Sequence, residues 1–116
     1  MKNVRIERLN DSFQEEISKI IMTEVKDEKL KFVTITEVNT SSDLSYAKVY
    51  FTCLEDNKRD EITASLNKAA PFIRKCLAPK YDILKVPELT FIYDNSLEYG
   101  KHIDEIIEKI ENEEEN

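Results

Sequence analysis

The sequence predicts an α+β domain in which a three-stranded sheet is covered by helices, in the order α-β-β-α-bend-α-β-α. Three observations carry this reading. Apolar residues recur at helical spacing in three separate stretches, and between them lie segments rich in Val, Ile, Thr, Phe and Tyr of the kind that form strands. The second helical stretch also passes straight through a proline, Pro71. Three strands cannot close a barrel, so the sheet must bury one face under the helices.

Ile6, Leu9, Phe13, Ile17, Ile20, Ile21 and Val25 recur at intervals of three and four, which predicts a long amphipathic helix over residues 4–26. Lys31 to Val38 and Tyr46 to Leu54 read as two strands joined as a hairpin by the polar segment Asn39–Ser45. In the second strand Ala47, Val49, Phe51 and Cys53 alternate with Tyr46, Lys48, Tyr50 and Thr52, leaving an aromatic and basic outer face. Stacked bases and the last helix are equally good covers for that face.

Asp56 or Asn57 is expected to cap the second helix, which continues through Ala69. Proline inside a helix removes a backbone donor and clashes with the preceding turn, at about 3 kcal/mol. Yet Leu66, Ala69, Ala70, Ile73 and Leu77 keep helical spacing on both sides, so a bend at Ala69-Ala70-Pro71 followed by a third helix ending near Ala78-Pro79 is predicted. Such a bend exposes N–H groups at the start of its second half, beside Arg74 and Lys75, where a phosphate can be met. Glu88–Tyr93 alternates as a third strand. Asn95 or Ser96 caps a last helix striped by Tyr99, Ile103, Ile106, Ile107 and Ile110. Residues 1–110 thus form one domain and 111–116 an acidic, flexible tail.

The formal charge of −7 argues at first against nucleic acid. Its distribution reverses that. Residues 104–116 carry seven acids against Lys109, so the remaining body is nearly neutral, with bases gathered at Arg5/Arg8, Lys26/Lys29/Lys31, Lys58/Arg59, Arg74/Lys75 and Lys80/Lys85. No apolar run is long enough to span a membrane and no secretory signal is visible, so a cytoplasmic protein is expected. Cys53 and Cys76 lack metal-type spacing and read as reduced core residues, as do Phe13, Phe51, Phe72 and Phe91. His102 is the only histidine, and Asp43, Asp94 and Glu98 sit where turns and caps account for them. An enzyme is therefore not expected, nor a metal or cofactor.

The order αββααβ with a helix–bend–helix is that of the type II KH fold, whose modules clamp nucleic-acid backbone at a Gly-rich turn. Gly100 is the only glycine here, which excludes the standard loop. The chain instead resembles the ribosome-binding factor A family, whose KH-like domain replaces the loop by an Ala-x-Gly bend. The resemblance rests on Arg5 and Arg8 with the Ile-rich helix, on Val33–Val38, Ser42-Asp43-Leu44 and Ala47–Tyr50, on Leu66–Arg74, and on Val86–Phe91 with Tyr93–Ser96. Two departures stand out. Pro71 occupies the place of the bend glycine, and Asp27-Glu28-Lys29 replaces a usual Asp-Pro-Arg, which predicts that the first helix runs on and presents Lys29.

The resemblance implies a monomeric assembly factor that binds the small (30S) ribosomal subunit and its rRNA and assists late maturation of that RNA, notably in the cold, with no cofactor, membrane or small-molecule substrate. Arg5, Arg8, Lys26, Lys29, Arg74, Lys75, Lys80 and Lys85 are the expected phosphate contacts, with Tyr46 and Tyr50 available for stacking. The alternative is an acidic protein-interaction module that docks through its last helix without touching RNA.

Overall fold

Phe13, Ile17, Ile20 and Ile21 form the buried stripe of helix α1, which spans Val4–Thr23 in a computed structural model that describes residues 4–82 and 85–96. The helix ends before the predicted extension. The Asp27 carboxylate accepts the Lys29 N–H at 3.0 Å and caps a 3₁₀ turn, Glu28–Leu30, so Asp27-Glu28-Lys29 leaves the helix and drives Leu30 into the core.

Strands β1 (Thr34–Thr40) and β2 (Tyr46–Thr52) form the expected antiparallel hairpin. A bulge between Ile35 and Glu37 inserts Thr36, so Ile35 and Val38 both point inward although they are three residues apart. Strand β3 (Glu88–Tyr93) pairs parallel to β2, which makes β2 central in the order β1-β2-β3.

Helix α2 spans Arg59–Leu77 with Pro71 inside it, and here the structure corrects the sequence. The expected pair of helices is one helix. Ile62, Leu66, Ala70, Ile73 and Leu77 lie buried along one stripe, while Pro71 is exposed, so its ring stands on the solvent side and the core contacts continue past it. Phe72, one position off the stripe, is 46% exposed and is not a core residue. The helix is preceded by a 3₁₀ turn, Asp56–Lys58, so Lys58 rather than Asp56 or Asn57 occupies the cap position. Beyond Leu77, Pro79 sits in a 3₁₀ turn, Ala78–Lys80, and the chain becomes extended at Tyr81.

Both helices cover the inner sheet face, where Ala47, Val49, Phe51, Leu89 and Phe91 complete the core. Cys53 and Cys76 are half-buried thiols packed at its margin. Side-chain amides from the helices tie down the outer strands. Asn10 Oδ1 accepts the Thr40 N–H at 3.0 Å and Gln14 Nε2 donates to the Ile35 carbonyl at 3.0 Å, both on β1. On β3, Asn67 Nδ2 donates to the Phe91 carbonyl at 3.0 Å while its Oδ1 accepts the Phe91 N–H at 2.8 Å. The predicted last helix, His102, Glu98 and the acidic tail lie outside the described residues.

Candidate nucleic-acid interface

Helices α1 and α2 run antiparallel. Near the middle of α1, Ser12 Oγ shares a 2.7 Å hydrogen bond with the Tyr81 hydroxyl and Glu16 pairs with Lys80 at 3.3 Å, whereas past its C-terminus Lys29 pairs with Glu61 of α2 at 3.2 Å. The strands follow the same axis. Glu88 N–H bonds the Ser45 carbonyl at 3.0 Å, which sets the start of β3 beside the hairpin turn, and Thr40 meets Asn10. One end of the fold therefore gathers the N-terminal half of α1, the hairpin turn, the last turns of α2 and the approach to β3.

That end carries six of the eight predicted phosphate contacts: Arg5, Arg8, Arg74, Lys75, Lys80 and Lys85. All but Arg74 are exposed. Arg74 is half-buried because its Nε donates to the Val86 carbonyl at 3.0 Å, tying α2 to the approach to β3 and fixing the guanidinium. Because the chain stays helical on both sides of Pro71, no second helix start with unpaired N–H groups forms beside Arg74 and Lys75. Their positive charges remain, at the C-terminal turn where they also complement the helix dipole. Lys26 and Lys29 lie at the other end of α1, a helix of about 30 Å. There Lys29 and Lys58 are paired with Glu61 and Glu55, and exposed Phe32 and Leu54 flank the pairs.

At the six-cation end, a cleft of about 420 Å³ opens between α1 and the hairpin turn, walled by Arg5, Arg8, Leu9, Ser12, Leu44 and Tyr81. Leu44 has φ 62°, the only non-glycine residue with positive φ among the described residues. For a residue with a Cβ this costs about 1–2 kcal/mol, and here the turn overrides it. The Ser41 hydroxyl donates to Asp43 Oδ1 at 2.7 Å, the Ser45 N–H bonds the same oxygen at 3.1 Å, and the Leu44 N–H closes onto the Ser41 carbonyl at 3.0 Å. Those two donors, the Ser41 hydroxyl first, hold the Asp43 carboxyl below its usual pKa. Tyr81 packs edge-on against Phe13 at 4.9 Å, and burial pushes its phenol up.

Sequence reasoning missed Leu44 and Tyr81 as parts of a site. The available signal was a single large apolar residue inside an otherwise polar turn, Ser41-Ser42-Asp43-Leu44-Ser45. On the outer sheet face Tyr46 is 61% exposed, Lys48 is exposed and Tyr50 is half-buried. No helix of the described residues is long and apolar enough to cross a membrane.

A family model described as ribosome-binding factor A matches residues 5–107. The ribosome-binding factor A of Halothermothrix orenii is 41% identical over 116 residues, covering 99% of this chain and 95% of its own. Among solved structures, a Thermotoga maritima protein determined by NMR in solution superposes with a TM-score of 0.71 at 28% identity, over 83% of this chain and 93% of that one. The fold is also that of a homology model of Thermus thermophilus ribosome binding factor A fitted into a cryo-EM map of its complex with the 30S subunit, at TM-score 0.61 and 21% identity over 74% and 91% of the two chains. Nearly the whole length is matched in sequence and the architecture is shared, and on these grounds the chain belongs to the ribosome-binding factor A family.

Proposed function

We propose that this chain is a non-catalytic assembly factor of the cytoplasm that binds the free small (30S) ribosomal subunit through its rRNA and assists late maturation of that RNA, including growth in the cold. The observation that carries the reading is the gathering of six cationic side chains from four chain segments at one end of the fold, in a body where residues 1–103 hold 16 Lys and Arg against 17 Asp and Glu. Family membership and the 30S complex of the Thermus thermophilus relative support it. Cations on a rigid wedge hold phosphates without reading sequence. A wedge that binds one RNA arrangement more tightly than another shifts the population toward it, with no chemical step and no cofactor.

The test is co-sedimentation of the purified protein with 30S subunits across a salt series. Six phosphate contacts predict a log–log slope of about −5 by the duplex rule and somewhat less for irregular RNA. Combined Arg8→Glu, Lys75→Glu and Lys80→Glu substitution is expected to abolish binding, while Lys26→Glu with Lys29→Glu weakens it far less. A slope near zero, or a tagged protein spread evenly over soluble fractions of an extract, refutes the RNA footprint and favours a protein-docking module.

A further inference from the structure

We infer that the cleft between α1 and the hairpin turn is a site for one unpaired RNA nucleotide, its base against Leu9, Leu44 and Tyr81 and its phosphate against Arg5 and Arg8. The inference rests on the ribosomal reading above and names the element of RNA that this end of the protein grips.

Two kinds of wall meet in this cleft. Arg5 and Arg8 stand on one turn of α1 and offer planar guanidinium groups suited to phosphate oxygens. Leu9, Leu44 and Tyr81 face the same space and offer it apolar surface. A duplex presents phosphates and groove edges but keeps its bases stacked inside, so it has nothing to set against that surface. An unpaired nucleotide supplies both an anion and an apolar flat ring. At about 420 Å³ the cleft falls within the size of ordinary ligand clefts, roughly 300–1,000 Å³.

The backbone points the same way. Leu44 is held in a left-handed conformation that favours glycine or asparagine, and a network of turn hydrogen bonds enforces it. The residue there is a leucine, whose side chain lines the cleft. Strain of this kind collects where a side chain must be presented to a ligand. The Tyr81 hydroxyl is already engaged by Ser12, which fixes the ring in place. An acidic peptide with an aromatic residue has similar chemistry. Lys75 and Lys85 at this end favour the polyanion, since they offer further cations to flanking phosphates, whereas Lys80 is paired with Glu16.

The test compares three probes of equal phosphate number by fluorescence anisotropy: a single-stranded RNA heptamer, a fully abasic ribose-phosphate heptamer, and a short RNA duplex. The wild-type protein is expected to bind the base-bearing strand about tenfold more tightly than the abasic strand or the duplex, in line with the stacking of one base. Leu44→Gly removes the apolar wall but accepts positive φ, so it keeps the fold and brings the base-bearing strand down to the abasic level. Leu44→Asn, equally compatible with that backbone, repeats the result. Arg8→Gln weakens both strands by the same factor. Equal binding of the heptamer and its abasic analogue overturns the inference. So does a folded Leu44→Gly protein with undiminished preference for bases, or tighter binding of an acidic aromatic peptide than of the strand. Sedimentation with 30S subunits separates the two proposals: wild-type protein that ignores 30S subunits sinks the ribosomal reading, whereas wild-type protein that binds 30S subunits but binds the heptamer and its abasic analogue equally sinks only the nucleotide site.

Discussion

Replacing Asn67 by alanine is expected to loosen the outer edge of the sheet by a calculable amount. Its carboxamide makes two hydrogen bonds to the backbone of Phe91, donating to the carbonyl at 3.0 Å and accepting the N–H at 2.8 Å, and so acts as the next strand for β3. Two such bonds contribute about 2 kcal/mol at about 1 kcal/mol each. Both bonds are part-buried rather than buried and Asn67 is itself exposed, so the full penalty for buried unsatisfied groups is not added. Alanine returns about 0.5 kcal/mol through its better helix propensity. The net loss is therefore about 1.5 kcal/mol, read by urea denaturation as a lower midpoint at unchanged slope. Lys68→Ala, also exposed and one position along the helix, serves as the control and is expected to shift the midpoint little. A loss under about 0.5 kcal/mol for Asn67→Ala, or one matched by Lys68→Ala, would refute the claim that the amide substitutes for a strand.

Two further outcomes are expected. Pro71→Ala restores a helical N–H and removes a ring that sits on the solvent side, so it raises stability by about 2 kcal/mol after allowing for the freer unfolded chain, and a drop in Tm would show that the proline is part of the packing. Asp94 accepts the Thr36 hydroxyl at 2.5 Å and the Ser96 N–H at 2.9 Å, and these bonds, the Thr36 hydroxyl first, lower its pKa. A lowered folded pKa stabilises above the unfolded value of about 4 and fades as pH falls through the folded one. Asp94→Asn is thus less stable than wild type at pH 7, and the gap narrows below about pH 4. A gap that widens on acidification contradicts the assignment.

Most elements were legible because their apolar periods were clean. The α1 stripe and the alternation of Ala47, Val49 and Phe51 read directly as core, and β3 falls at Glu88–Tyr93 as expected. The misreadings share a cause: a local signal was outweighed by tertiary contacts that no sequence window contains. Pro71 by itself predicts a broken helix, but the stripe Leu66, Ala70, Ile73 and Leu77 is held in the core on both sides of it. Residue type alone places Phe72 in the core, although its neighbour Ile73 holds the inward position. The spacing of Ile35 and Val38 hid a bulge that only the pairing with β2 reveals. Of the candidate site, charge clusters were visible, but not that antiparallel helices would divide them, separating Lys26 and Lys29 from the other six. The cleft was invisible for the same reason, since Arg8, Leu44 and Tyr81 come from three distant segments.

The mixed sheet has a consequence for how the molecule is made. Thr40 and Ala47 are brought together by a short turn, whereas Tyr46 meets Glu88 only after the whole of α2 has been laid across the sheet. Loop closure adds about 0.6 kcal/mol for each doubling of length, so about 2 kcal/mol more must be found before the parallel pair forms than before the hairpin. On that cost the N-terminal helix and hairpin are expected to assemble first during synthesis, with β2 unpaired on one side until the chain beyond α2 has emerged. Over that interval the nascent chain would present a strand, Tyr46–Thr52, that holds Val49, Tyr46, Tyr50 and Phe51 with one edge unpaired, the kind of surface on which unfinished chains aggregate. Vulnerability to misassembly in this protein is thus concentrated in the time before its third strand arrives.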